Sequence, residues 1–302
     1  MEVGCVANLH GRHICLLGGD SRELKLVCAL IDRGARVSCY GVPKDGLHPE
    51  AIAAANAKEA CRGANAIVLP LSGTDSNGNV RVTSSPICIT RELLFVLSPN
   101  AILFSGIVPR FLAAECQSLG IRTVETTAND ELAILNSIPS AEGAILMAMQ
   151  ATPFTIHNSN CLVLGLGRTG MTLARMLHGL GAHVWAAARK AEDRARAFEM
   201  GLSPLSFADL PSCLPQIDIA FNTVPALVLD RSLVYSMKRT AAIIDLASSP
   251  GGVDFIAASE RGIHAELAPG LPGKVAPVTA GQIISKVLPE IIAAEFAKNK
   301  PD

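Results

Sequence analysis

Short apolar runs alternate along the first half of the chain with longer stretches whose apolar residues recur at helical spacing. Residues 14–17, 36–40, 66–69, 101–104 and 121–124 read as strands, with helices expected near 22–33, 49–61, 91–97 and 109–118. Strands that are apolar throughout belong to a parallel sheet covered on both faces, and alternation with helices predicts a doubly wound fold. Residues 136–150 read as one long helix with Ile138, Ala141, Ile145 and Met149 close to one face. The alternation resumes with strands at 161–164, 183–187, 217–221, 241–245 and 263–266. A closing helix after Lys274 carries the stripe Ile283, Ile284, Val287, Leu288, Ile291 and Ile292, with Pro289 expected to kink it.

The expected architecture is α/β: two doubly wound Rossmann-like domains with a cleft between them. Residues 1–135 form an N-terminal substrate domain, 136–151 a connector helix, 152–273 a dinucleotide-binding domain, and 274–302 a C-terminal helix packing back on the first domain. A length of 302 residues, 49% of them hydrophobic, suffices for two cores. The formal net charge of -1, without charge runs, offers no footprint for nucleic acid or an anionic membrane. Apolar stretches are broken by Gly, Pro or charge, so none is expected to cross a bilayer. The first ten residues lack a basic segment followed by an apolar one, so a cytoplasmic location is expected. The nine cysteines form no C-x-x-C pair and read as buried free thiols.

The most informative motif is Gly165-Leu166-Gly167-Arg168-Thr169-Gly170, which follows an apolar strand and opens a helix. A G-x-G-x-x-G run alone is weak; this context gives each glycine a task. Gly165 permits the tight turn, Gly167 the approach of a pyrophosphate, and Gly170 close helix–strand packing. The helix N-terminus, with Arg168 and Thr169, then offers N–H groups to the anion. The next strand ends in Arg189-Lys190, where NAD-selective domains usually place a carboxylate. A guanidinium there suits a 2′-phosphate and favours NADP over NAD, unless both side chains are simply solvated. Asn222, Thr223 and Val224, then Asp245 and Ala247, stand at later strand ends facing the same crevice. Gly273 closes a Gly/Pro-rich loop, 268–273, that either walls the nicotinamide or only makes a turn.

In the first half, Gly18-Gly19-Asp20-Ser21-Arg22 also links a strand to a helix, but lacks the third glycine. Arg22 could hold a substrate carboxylate or sit in a structural turn. Ser72, Thr74 and Ser105 follow strands and offer hydroxyls to the same cleft. Glu142 reads either as a general base or as a solvated helix charge. No G-x-S-x-G, no H-E-x-x-H and no Cys/His ligand spacing is present, so hydrolytic and metal chemistry find no support.

Several of these segments together resemble the dipicolinate synthase A-subunit family of spore-forming bacteria: Gly18 to Arg22, Phe104-Ser105-Gly106-Ile107, Asn136-Ser137-Ile138-Pro139, Val163 to Thr172, Asp245-Leu246-Ala247-Ser248 and Leu267 to Gly273. The resemblance covers nearly the whole chain, departing in an extension before His13. It implies an oxidoreductase that makes pyridine-2,6-dicarboxylate from a hydroxylated tetrahydro-dicarboxylate, or its dehydrated form, in the mother cell during sporulation. It implies Arg22, Ser72, Ser105 and Ser137 as carboxylate donors, with Asn136 as an orienting amide, and for a partner it implies a flavoprotein-like B subunit. A homo-oligomer is also expected. The alternatives are a dehydrogenase of another small carboxylate and a catalytically silent NADP-binding subunit.

Overall fold

The fold is described from a computed structural model, in which residues 8–298 are placed. Cys5 and the rest of 1–7, like 299–302, lie outside the described residues. The chain divides into two compact units, one comprising the residues up to Ala133 together with those from Pro277 onward, the other Ile134–Ala276.

The first unit holds β1 (His13–Leu17), β2 (Arg36–Tyr40), β3 (Ile52–Ala53), β4 (Ala66–Val68), β5 (Ile102–Ser105) and β6 (Arg122–Glu125). They form one sheet in the order β3-β2-β1-β4-β5-β6. All its pairings are parallel, with Ile14 between Val37 and Ala66 at its centre. The second unit repeats the plan with β7 (Asn160–Leu164), β8 (His183–Ala187), β9 (Ser203–Leu205), β10 (Ile219–Asn222), β11 (Ala242–Asp245) and β12 (His264–Leu267). Its order is β12-β11-β10-β7-β8-β9, again parallel throughout. Both orders reverse at the first strand, and ligands of open α/β sheets bind at that reversal, outside the carboxyl ends of the strands.

Successive residues of a strand point to opposite faces, and in the second unit both faces are dry. Val163, Phe221 and Ile244 pack with Ala141, Ala144, Ala148, Leu173 and Leu177 on one side. Leu162, Leu164, Ala220 and Ile243 pack with Leu210, Val234 and Ala257 on the other. At about 1.5–3 kcal/mol per fully buried aliphatic side chain, this two-faced burial is what selects continuous apolar strands.

Several elements differ from the sequence reading, and β9 was not expected at all. The helix expected over 49–61 is instead β3 followed by the short helix Ala57–Cys61. Asn56 caps that helix by accepting from Glu59 N at 2.8 Å, while Ile52 and Ala53 extend the sheet beside Ser38 and Cys39. Edge pairing overrides the helical propensity of the alanines. The helix expected over 91–97 is the single turn Arg91–Leu94. The connector begins earlier, as Asp130–Ala151, because Asn129 accepts from Leu132 N at 2.9 Å and Asp130 and Glu131 suit the positive end of the dipole. This 22-residue helix is long and apolar enough by composition to cross a membrane, its most apolar 18-residue window having a mean hydropathy of 1.4, contrary to the expectation from the sequence. Its Ala141, Ala144, Ile145 and Ala148 belong to the core of the second unit, while Met149 is exposed.

The loop expected over 268–273 is largely the helix Leu271–Val275, entered from Gly270 at φ 69°. The closing helix Pro277–Ala297 then runs continuously through the buried Pro289 and packs on the helix Ser21–Ile31. Gly281 permits the approach, since a Cβ there would lie 3.2 Å from Arg22 Cα.

Candidate functional site

At the reversal of the second sheet, Gly165 turns the chain out of β7 at φ +89° and a helix starts at Arg168. The three glycines differ in what surrounds them. A Cβ on Gly165 would lie 2.7 Å from Thr223 Oγ1, and one on Gly170 would lie 1.9 Å from Gly165 O. A Cβ on Gly167 would meet nothing within 4 Å. Two glycines are therefore required by the protein's own packing, and the third borders open space. Gly167 also caps the helix Arg168–Gly179 without any side-chain hydrogen bond. A helix N-terminus left without a side-chain cap is suited to an anion.

The space beyond Gly167 is a cavity of about 460 Å³. Of the residues singled out from the sequence, Gly165, Gly167, Arg189, Lys190, Thr223 and Val224 line it, with Leu166 of the glycine motif and Pro225 of the strand end 222–225; Ala188, Asp193 and Phe207 were not anticipated. Phe207 sits in a 3-10 turn after β9, and no local signal distinguishes it from a core aromatic. Arg189 and Lys190 are exposed at the end of β8. Thr223 donates to Leu164 O at 2.9 Å and Gly165 O at 3.2 Å, and so locks the glycine turn.

Asn222 and Asp245 do not face the cavity, which corrects their assignment as cofactor contacts. Both are 0% exposed. Asn222 Nδ2 donates to Asp245 Oδ1 at 2.8 Å and to Val224 O at 3.0 Å, while its Oδ1 accepts from Val224 N at 2.9 Å. Asp245 further accepts from Ala247 N at 2.9 Å and Gly252 N at 2.7 Å. The pair holds the loops after β10 and β11 in shape. Ala247 is buried and serves this network, and Gly273 lies within the helix Leu271–Val275; neither lines the cavity. Ser137 is 1% exposed, its hydroxyl bonded to Ile134 O and to Thr172 Oγ1, both at 2.6 Å. It joins the long helix to the glycine-loop helix. Asn136 is half-buried with an unpartnered Oδ1, and Glu142 is exposed.

The corresponding turn of the first unit is filled by the chain itself. Gly19 N donates to Val82 O at 2.7 Å, and a Cβ on Gly18 would lie 2.6 Å from Val80 Cγ1. Arg22, 8% exposed, donates Nε to Asp20 Oδ1 at 2.8 Å and Nη2 to Asp20 Oδ2 at 2.9 Å. Burial alone would raise the Asp20 pKa, but the hydrogen bonds from Arg22 carry it below its usual value. This bidentate pair leaves Arg22 engaged with its own cap and removes it as a ready carboxylate donor. Beside it Glu23 is buried, and desolvation pushes its pKa up to about 7, against the opposing hydrogen bond from Asp20 N.

Ser105 is also spent: fully buried, it donates to Ile107 O at 2.8 Å. Ser72 is exposed, whereas Thr74 is buried with no partner for its Oγ1. Arg81, absent from the sequence reading, donates Nε to Thr74 O at 3.0 Å. Among the described residues no group of three or more His, Cys, Asp or Glu is placed to hold a metal ion.

Residues 13–127 match the family model for the N-terminal domain of the dipicolinate synthase A subunit. Residues 141–250 match that for the NAD binding domain of D-isomer specific 2-hydroxyacid dehydrogenases. The dipicolinate synthase A subunit of Bacillus subtilis (strain 168) is 39% identical over 288 residues, spanning 94% of this chain and 97% of that protein. A crystal structure of dipicolinate synthase, A chain, from Bacillus subtilis superposes with a TM-score of 0.88 at 39% identity, covering 97% of this chain and 99% of that one. The crystal structure of the dipicolinate synthase A subunit from Bacillus halodurans gives 0.87 at 38% identity, covering 97% and 100%.

Proposed function

Because the chain belongs to the dipicolinate synthase A-subunit family, we propose that it is the NADP-linked oxidoreductase subunit that forms pyridine-2,6-dicarboxylate. The substrate class is a hydroxylated tetrahydro-dicarboxylate or its dehydrated form. Loss of one water gives the dihydro ring, and loss of a hydride and a proton from that ring gives the aromatic product. Aromatisation supplies driving force, so the protein's task is to orient the ring and exclude water.

The observation that carries the reading is the glycine cradle, whose one open glycine borders a cavity with two exposed cations at the adjoining strand end. When bound, a nicotinamide dinucleotide supplies the hydride acceptor. The N-terminus of the helix Arg168–Gly179, with Thr169, holds the pyrophosphate, and Arg189 and Lys190 hold the 2′-phosphate. Val224, Pro225 and Phe207 offer apolar surface to the adenosine. In the first unit, Ser72 and the unpartnered Thr74 hydroxyl are the substrate donors, and Arg81 supplies the cation that Arg22 keeps on Asp20. Asn136 orients the ring through its unpartnered carbonyl, and Glu142 is the candidate proton acceptor. The setting proposed is the cytoplasm of a sporulating mother cell, as a homo-oligomer working with a flavoprotein-like B subunit.

The test follows NADPH absorbance and dipicolinate formation when the purified chain, alone and then with a B subunit, receives freshly made hydroxy-tetrahydrodipicolinate and NADP. Substrate-dependent formation of both products is expected. Tight cofactor binding without turnover in either mixture would assign a silent nucleotide-binding role or a different small carboxylate.

A further inference from the structure

Arg194 lies in the helix Ala191–Glu199, just beyond the strand end that carries Arg189 and Lys190. One of its nitrogens, Nη1, donates to two backbone carbonyls of that strand end, Ala188 O at 2.9 Å and Arg189 O at 2.7 Å. The strand-end loop is thereby tied to the helix that follows. Its Nε and Nη2 make no hydrogen bond among the described residues, and the side chain is half-buried. A guanidinium anchored through one nitrogen keeps a fork of donors for a second acceptor.

Arg189, Lys190 and Asp193 line the cavity, while Arg194 stands behind them. Lys190 is 3.9 Å from Glu192, and the Asp209 carboxyl, held below its ordinary range chiefly by Ser206, also feels the Arg194 charge.

We propose that Arg194 is a positioning and specificity-determining residue for a 2′-phosphorylated dinucleotide. It fixes the backbone from which Arg189 projects, through its bonds to the Ala188 and Arg189 carbonyls. This rests on the NADP reading given above.

The test is calorimetric binding of two probes to the full chain: 2′,5′-ADP, which carries the 2′-phosphate, and 5′-AMP, which lacks it. The wild-type chain should prefer 2′,5′-ADP by about tenfold or more. That preference should grow as pH rises through about 6, where a phosphate monoester takes its second charge. R194Q should weaken 2′,5′-ADP by about tenfold and leave 5′-AMP nearly unchanged, with R194K recovering part of the loss.

An equal loss for both probes would mean that Arg194 only stabilises the loop, and an unchanged R194Q would mean that it plays no part; either overturns the proposal while leaving the NADP reading intact. A wild-type chain indifferent to the 2′-phosphate would overturn the NADP reading and this proposal together.

Discussion

Gly167 and Gly170 belong to one short motif, yet the surroundings of each predict opposite phenotypes. A methyl on Gly167 enters open space, so Gly167→Ala should leave the melting temperature nearly unchanged while weakening dinucleotide binding by about tenfold or more, through obstruction of the pyrophosphate. A methyl on Gly170 would lie 1.9 Å from a backbone oxygen, so Gly170→Ala should lower stability itself. Thermal melts read beside nucleotide titration separate the two. Glu23 makes a second residue-scale case, because burial holds its carboxyl protonated up to about pH 7 in the folded chain against an ordinary value of 4.5. The unfolded chain releases that proton earlier as pH rises. The Glu23 contribution is therefore fully present below pH 4.5 and is lost as pH climbs to about 7. Its size is on the order of 3 kcal/mol. Glu23→Gln keeps an acceptor for Asp20 N and should flatten this dependence, which urea midpoints across that pH range would record.

At the scale of elements, the ends of β10 and β11 are held by a buried carboxylate and amide rather than by strand pairing alone. Asp245→Ala would leave one N–H of the Asn222 amide, which keeps its bonds to Val224, and the N–H groups of Ala247 and Gly252 without their buried acceptor. At about 1–3 kcal/mol for each unsatisfied group, the loss should amount to several kcal/mol and appear as a lower denaturation midpoint. Dinucleotide affinity should fall with it, because the loop carrying Thr223 and Val224 is shaped by the same pair. These residues were visible in the sequence as polar residues ending apolar strands, which marks a site's neighbourhood without revealing whether the side chains meet ligand or one another. The helix expected at 49–61 failed for a related reason: local propensity cannot register that β2 leaves an edge for Ile52 and Ala53 to pair with.

At the scale of the whole molecule, two sheets of the same strand order carry two glycine turns of unequal fate. In the first unit Val80 and Val82 occupy the space beside Gly18 and Gly19, whereas in the second the space beside Gly167 is open. The chain should therefore bind one dinucleotide per protomer, and a stoichiometry of two in a calorimetric titration would contradict this reading. The sequence by itself determined the repeated strand–helix alternation, the glycine motif and the cations after β8, since each is written in local periodicity or in adjacent residues. Only the tertiary structure decided that Arg22 is spent on Asp20, that Ser105 and Ser137 are buried in hydrogen bonds, that Phe207 lines the cavity, and that Arg194 binds the carbonyls of Ala188 and Arg189. Those outcomes depend on which side chains distant or neighbouring segments bring within about 3 Å, the reach of a hydrogen bond, and no pattern along a single chain records that distance.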